Sequence, residues 1–152
     1  MKKKYRIITT KDNKSIKKVL RNISNDVEEI TDEISTLIIR MKELKTNIGV
    51  GIAAPQVGEN LNIIIVDDKE NNIKNIVLIN PRWRALSNNT DVLNEGCLSV
   101  PSFSKRIERY TNIEVEAFNE NMNSMKFIAN GFFARVIQHE CDHLIGKMIC
   151  DY

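Results

Sequence analysis

Long apolar runs are absent from this sequence, and so is any strong excess of one charge. The basic start Met1-Lys2-Lys3-Lys4 continues as Tyr5-Arg6-Ile7-Ile8-Thr9-Thr10-Lys11, too broken by polar residues for a signal peptide or a membrane span. The expectation is a cytoplasmic protein with no membrane partner. A formal charge of +2 is too small to advertise a nucleic-acid surface, so the lysines read as solvated and no specific nucleic acid is expected. Cysteine is scarce: Cys97, Cys141 and Cys150 are an odd number without framework spacing, which disfavours disulfides and favours reduced thiols in metal or catalytic use. Internal repeats, low-complexity tracts and linkers are missing too. With 152 residues and 42% hydrophobic content there is enough chain for one core and too little for two, so residues 1–152 read as a single domain.

Histidine is scarcer still. The only two fall within His139-Glu140-Cys141-Asp142-His143, the HExxH pattern. Chance would produce this spacing, with Glu in that slot, on the order of one time in a thousand for two scattered histidines. On a helix, residues four apart stack one turn above the other, so His139 and His143 can offer two nitrogens to one cation while Glu140 lies within reach of water bound there.

Around this motif the chain alternates between two periodicities. From Ile16, the residues Val19, Leu20, Ile23, Val27, Ile30, Ile34, Leu37, Ile38, Met41 and Leu44 recur at three- and four-residue steps, which predicts an N-terminal amphipathic helical region. Asn22, Ser24, Asn25 and Asp26 are expected to divide it into a short piece and a longer one capped near Ser24 to Asp26. Gly49 to Gly58 is a glycine-flanked segment of small residues suited to close backbone approach. Strands are expected over Leu61 to Asp67, Ile73 to Ile79, Asn112 to Phe118 and Met125 to Ala129, the last two joined by a hairpin around Asn119 to Asn123. A final helix from about Gly131 to Leu144 carries both histidines.

A catalytic metal site usually takes three protein ligands and leaves a position for water. No third histidine exists, and only nine residues follow His143, which disfavours an ordinary HExxH protease. Cys97, in Glu95-Gly96-Cys97-Leu98-Ser99-Val100-Pro101, is the better third candidate, because Gly96 gives it backbone freedom and a thiolate is a strong ligand. Cys141 sits roughly 200° around the helix from each histidine and should face away. Cys150, in the tail, reads as incidental.

Three segments together identify a family. Gly49-Val50-Gly51-Ile52-Ala53-Ala54-Pro55-Gln56, Glu95-Gly96-Cys97-Leu98-Ser99 and Gln138-His139-Glu140-Cys141-Asp142-His143-Leu144 stand in the order and at the separations of the three peptide deformylase motifs, and the chain resembles that family over nearly its whole length. The resemblance implies an α+β fold in which antiparallel sheets surround the histidine helix. It implies hydrolysis of the formyl group from N-formylmethionyl nascent peptides, with formate released and a transient encounter with the ribosome. It also implies one divalent ion held by Cys97, His139 and His143, Fe²⁺ in the cell, with Zn²⁺, Ni²⁺ or Co²⁺ able to substitute. Glu140 would move the proton, while the Gln56 amide and the Leu98 backbone N–H would stabilise the developing oxyanion. Gly49 and Gly51 would let the backbone lie against substrate, and Val50, Leu93, Phe132 and Val136 would line a pocket for the methionine side chain. Glu95 and Arg109 read either as a supporting pair or as surface charges.

Departures accompany the match. Ser102 stands where the family often has Gly, and Ser104 where many members carry an Arg that helps hold substrate backbone; many members also have a further helix after the histidine helix. Two other readings stay open from the sequence. One is a weakly active deformylase-like metal-binding module, admitted by the altered Ser102-Phe103-Ser104 stretch. The other is a metallopeptidase, favoured by HExxH alone.

Overall fold

The structure is a computed structural model that describes residues 3–152; Met1 and Lys2 of the lysine-rich start lie outside the described residues. In chain order its elements are α1 (Lys14–Lys17), α2 (Asp32–Thr46), β1 (Gly51–Ala53), β2 (Ile63–Asp68), β3 (Ile73–Ala85), β4 (Thr90–Cys97), β5 (Val100–Tyr110), β6 (Asn112–Phe118), β7 (Ser124–Asn130) and α3 (Gly131–Leu144), with single 3-10 turns at Lys18–Arg21, Ala54–Val57 and Ile149–Asp151. The expected α+β class holds: one antiparallel sheet runs β1-β2-β3-β6-β7, and β4 pairs with β5 as a separate two-stranded sheet.

The larger sheet is organised by β2. Its Ile63-Ile64-Ile65-Val66 run is apolar on both faces, and all four side chains are fully buried. Successive side chains point to opposite faces. Ile64 and Val66 therefore join Leu78, Val115, Ala134 and Ile137 beneath α3, whereas Ile63 and Ile65 join Leu37, Ile38 and Met41 of α2. Each such side chain contributes about 1.5–3 kcal/mol on burial, so two helices are clamped on one sheet by a single strand. A third cluster of Ile8, Leu20, Val100, Ile107, Met148 and Ile149 ties the N-terminal segment and C-terminal turn to β5.

The structure corrects the helix boundary. α2 begins at Asp32 behind Thr31, whose hydroxyl accepts from the Ile34 N–H at 3.3 Å; Ser24 to Asp26 do not cap it. Residues 24–30 are instead non-helical, and the start of the stretch is claimed by other partners: Ser24 N–H by the Leu144 carbonyl, Asn25 N–H by the Asn60 carbonyl, and Val27 N–H by the Asn80 side chain. Ile23, Val27 and Ile30 mimic helical spacing by coincidence, and Ile23 is 74% exposed. Three strands stand where none is expected: β1 lies within the glycine-flanked segment, and β4 and β5 fill the stretch between the second and third expected strands. β3 continues to Ala85, well past Ile79. The final helix and the Asn112 to Phe118 strand match their expected positions.

Candidate active site

α3 meets its neighbours with two different faces. Ala134, Ile137, Cys141 and Leu144 pack into the large sheet, while Arg135, His139 and Asp142, at steps of four and three, face β4 and β5. The Gln138 side chain completes the docking as a strand would: its amide donates to the Tyr110 carbonyl at 2.8 Å, and its oxygen accepts from the Tyr110 N–H at 3.1 Å. Helix and ribbon are thereby locked in register. Burial among apolar neighbours pushes the Cys141 thiol up, well above its ordinary range, and its side chain lies on the sheet side of α3. Cys150 is exposed in the last turn.

Cys97 ends β4 and pairs with Val100 across the two-residue turn Leu98-Ser99, while Gly96 pairs with Ser104. Pro101, Ser102 and Phe103 are therefore extra on β5, a bulge of the kind that re-aims a side chain, and Ser102 carries the left-handed φ of 60° that the bulge demands. The consequence is that Cys97 Sγ stands 3.4 Å from His143 Nε2, and one ligand atom from each of Cys97, His139 and His143 lies within 4.8 Å of the others. Gln56 reaches the same spot: its Oε1 accepts from the Ala53 N–H at 2.9 Å, and its Nε2 donates to Ser99 Oγ at 3.2 Å and to Cys97 Sγ at 3.6 Å. One end of the amide holds the loop and the other is aimed at the site.

Glu140 is buried beside this cluster, and its Oε2 has no hydrogen-bond partner among the described residues. Burial pushes its carboxyl up to about 7 against the pull of His139. Gly51 explains how the carboxylate fits. A Cβ there would stand 2.5 Å from Glu140 Oε1, so the missing side chain is the space Glu140 occupies. Gly49 has nothing within 4 Å and faces open space. A cavity of about 310 Å³ opens over the cluster, and every substrate-side residue expected from the sequence (Gly49, Val50, Gly51, Leu93, Phe132 and Val136) lines it, as do Leu98, Gln56 and Arg135. Leu93 and Phe132 are about half exposed at the mouth, and Val136 is buried at the base.

Behind the cluster lies a buried ionic network. His139 Nδ1 donates to Glu95 Oε1 at 2.8 Å, and Arg109 clasps the same carboxylate through Nε at 3.0 Å and Nη2 at 2.9 Å. Arg109 also binds Asp142 and Tyr152, each at 2.7 Å. Burial opposes charge on Glu95, but hydrogen bonds from His139 and Arg109 prevail and hold it well below the usual carboxylate range. Glu95 and Arg109 are thus an interior pair rather than surface charges. Burial likewise disfavours a charged His139, yet its hydrogen bonds with Cys97 and Glu95 hold its imidazole up at about 10; burial pushes His143 down to about 3. A thiol and two imidazoles converging on one point form a donor set that fits a divalent ion of nitrogen and sulfur preference. Arg135, Gln138, Asp142, Tyr152 and Ser99 join the site without being candidates from the sequence. The available signal is the Arg135-His139-Asp142 stripe, charged where an apolar helix face would otherwise be expected.

Comparison with known proteins agrees with this geometry. The sequence model of the polypeptide deformylase family matches residues 5–152. A curated peptide deformylase of Baumannia cicadellinicola subsp. Homalodisca coagulata is 43% identical over 134 residues, 88% of this chain and 80% of that protein. The crystal structure of peptide deformylase from Thermotoga maritima superposes with a TM-score of 0.87 at 34% identity, covering 99% of this chain and 97% of that one. A peptide deformylase from Synechococcus elongatus, solved in complex with actinonin, gives 0.85 at 34% identity over 99% of this chain and 79% of its own. With Cys97 brought to the two histidines of the HExxH helix in a group that could hold a metal ion, a cavity above it and a family match spanning nearly all residues, the chain belongs to the polypeptide deformylase family and is a peptide deformylase.

Proposed function

We propose that residues 1–152 act as one deformylase domain that hydrolyses the N-formyl group of N-formylmethionyl nascent peptides and releases formate. The observation that carries this reading is the convergence of Cys97, His139 and His143 within 4.8 Å beside the unpartnered Oε2 of Glu140, under a substrate-sized cavity. Cys97, His139 and His143 would hold one divalent ion, Fe²⁺ in the cell, with Zn²⁺, Ni²⁺ or Co²⁺ able to take its place. When bound, such an ion lowers the pKa of a water and polarises the formyl oxygen. Glu140 accepts the proton of the attacking water and returns it to the departing amine, a relay that needs one carboxylate near both. The Gln56 Nε2 and the Leu98 backbone N–H donate to the carbonyl oxygen as it gains charge. Gly49 leaves room for peptide backbone, Gly51 leaves room for Glu140, and Val50, Leu93, Phe132 and Val136 receive the methionine side chain. A nascent substrate implies a transient encounter with the ribosome in the cytoplasm. Actinonin is expected to occupy the same cavity.

The test is formate release from a formylmethionyl peptide, run beside the same peptide without its formyl group. Turnover of the first alone, blocked by actinonin, is the expected result. Cleavage of the unformylated peptide would support a peptidase instead, and metal binding without formate release would leave a binding module. Chains loaded anaerobically with Fe²⁺ should lose rate in air as the ion and the Cys97 thiolate oxidise, and Ni²⁺-loaded chains should not. Equal, air-stable rates would remove the ferrous assignment.

A further inference from the structure

We propose that Arg135 is a positioning residue for the metal site, acting through Glu95 on His139; the inference rests on the ligand set proposed above. Arg135 is 2% exposed, and its Nη1 donates to Glu95 Oε2 at 2.6 Å and to the Ile107 carbonyl at 2.9 Å, while Nη2 donates to the Asp91 carbonyl at 2.9 Å. It therefore bolts the carboxylate to both strands of the β4–β5 ribbon. Arg109 holds the same carboxylate from the other side through Nε and Nη2, and its Nη1 ties that grip to Asp142 and Tyr152. Arg135 takes the second lobe of Oε2, leaving Oε1 to Arg109 Nη2 and to the His139 Nδ1–H. That hydrogen bond fixes the imidazole tautomer and leaves the opposite nitrogen, Nε2, free as the ligand atom beside Cys97 and His143. The stem of Arg135 also lines the cavity, so one side chain joins the substrate pocket wall to the support of a ligand.

The probe is Co²⁺, whose affinity and thiolate charge-transfer band are both read by titration against a chelator. The wild-type chain should bind one Co²⁺; uptake of none overturns the ligand set and the role of Arg135 with it. Arg135→Met keeps a stem against the cavity but removes the cation. It should weaken Co²⁺ binding by about 10–100-fold, with Arg135→Lys recovering part of the loss. In a cycle with Glu95→Gln the two losses in Co²⁺ affinity should fail to add, since Arg135 has nothing to steer once that carboxylate is gone. Fully additive losses, or an Arg135→Met chain with wild-type affinity, overturn the proposal. Should Arg135→Met fail to fold, the same cycle with Arg135→Lys separates additive from non-additive losses in the same way.

Discussion

The two sheets of this molecule are built on opposite principles. The five-stranded sheet is held by apolar side chains on both faces, with Ile63 to Val66 of β2 fully buried. The β4–β5 ribbon turns charge inward: Glu95 and Arg109 are almost fully buried on the face that meets α3. The first sheet supplies most of the apolar core and reaches the site only at its β1 edge, where Gly51 makes room for Glu140 and the Ala53 N–H holds Gln56. The ribbon carries Cys97 and the support of His139, and accepts a poorer core in return. Burying ions costs several kcal/mol each unless every lone pair is met, which is why Glu95 has four donors within 3.0 Å.

The sharpest break of this comparison is Glu140→Gln, which should lower kcat by about 10²–10⁴-fold while leaving metal content and melting temperature near wild type. Cys97→Ala and His143→Ala should differ by losing metal along with turnover. Metal analysis beside formate assays separates the two outcomes, and a Cys97 variant with full stoichiometry would remove that residue from the site.

Next in size is a matched pair. Glu95→Leu strands two buried guanidiniums and should cost about 3–5 kcal/mol of stability together with metal affinity. Leu78→Ala, in the apolar sheet, should cost about 2–5 kcal/mol yet keep one metal per chain. Denaturant unfolding and metal titration on both variants would show whether stability and chemistry are divided as described; equal metal loss in Leu78→Ala would break the division.

Gly51→Ala forces a methyl into the place of Glu140 Oε1. A displacement near 1 Å can cost about 10²-fold, so kcat should fall on that scale, whereas the methyl of Gly49→Ala meets no atom of the protein and should leave kcat near wild type while raising KM, since it fills room left for peptide backbone. Comparable kcat values for the two alanine variants would count against the packing role of Gly51. The smallest effect is Ser102→Gly. Relief of a left-handed serine should raise stability by about 1 kcal/mol, seen as a rise of about 2–4 °C in Tm, with the rest of the ribbon unchanged.

The difference between the sheets also explains which elements are legible along the chain. Apolar periodicity marks β2, β6, β7 and α3 because their inward residues are apolar, and their bounds agree with that pattern to within a residue or two. It says nothing of β4 and β5, where Glu95 and Arg109 take inward positions and read as surface. The start of α2 is misplaced for a related reason: Ile23, Val27 and Ile30 keep helical spacing, but long-range partners claim the backbone of residues 24–27.

The candidate residues of the site could be read from the chain alone. Two histidines one helical turn apart with a glutamate between them admit few uses, and a lone Cys-Leu-Ser turn completes the set, because ligand type and helical pitch are local properties. Only the tertiary structure decided how those groups are held. A bulge in β5 aims Cys97, the empty side of Gly51 seats Glu140, and Arg109 and Arg135 converge on Glu95 from different elements. Ion pairs between residues 14 and 40 positions apart leave no periodic trace, since their partners are chosen by the packing of a helix on a ribbon and not by spacing along the chain.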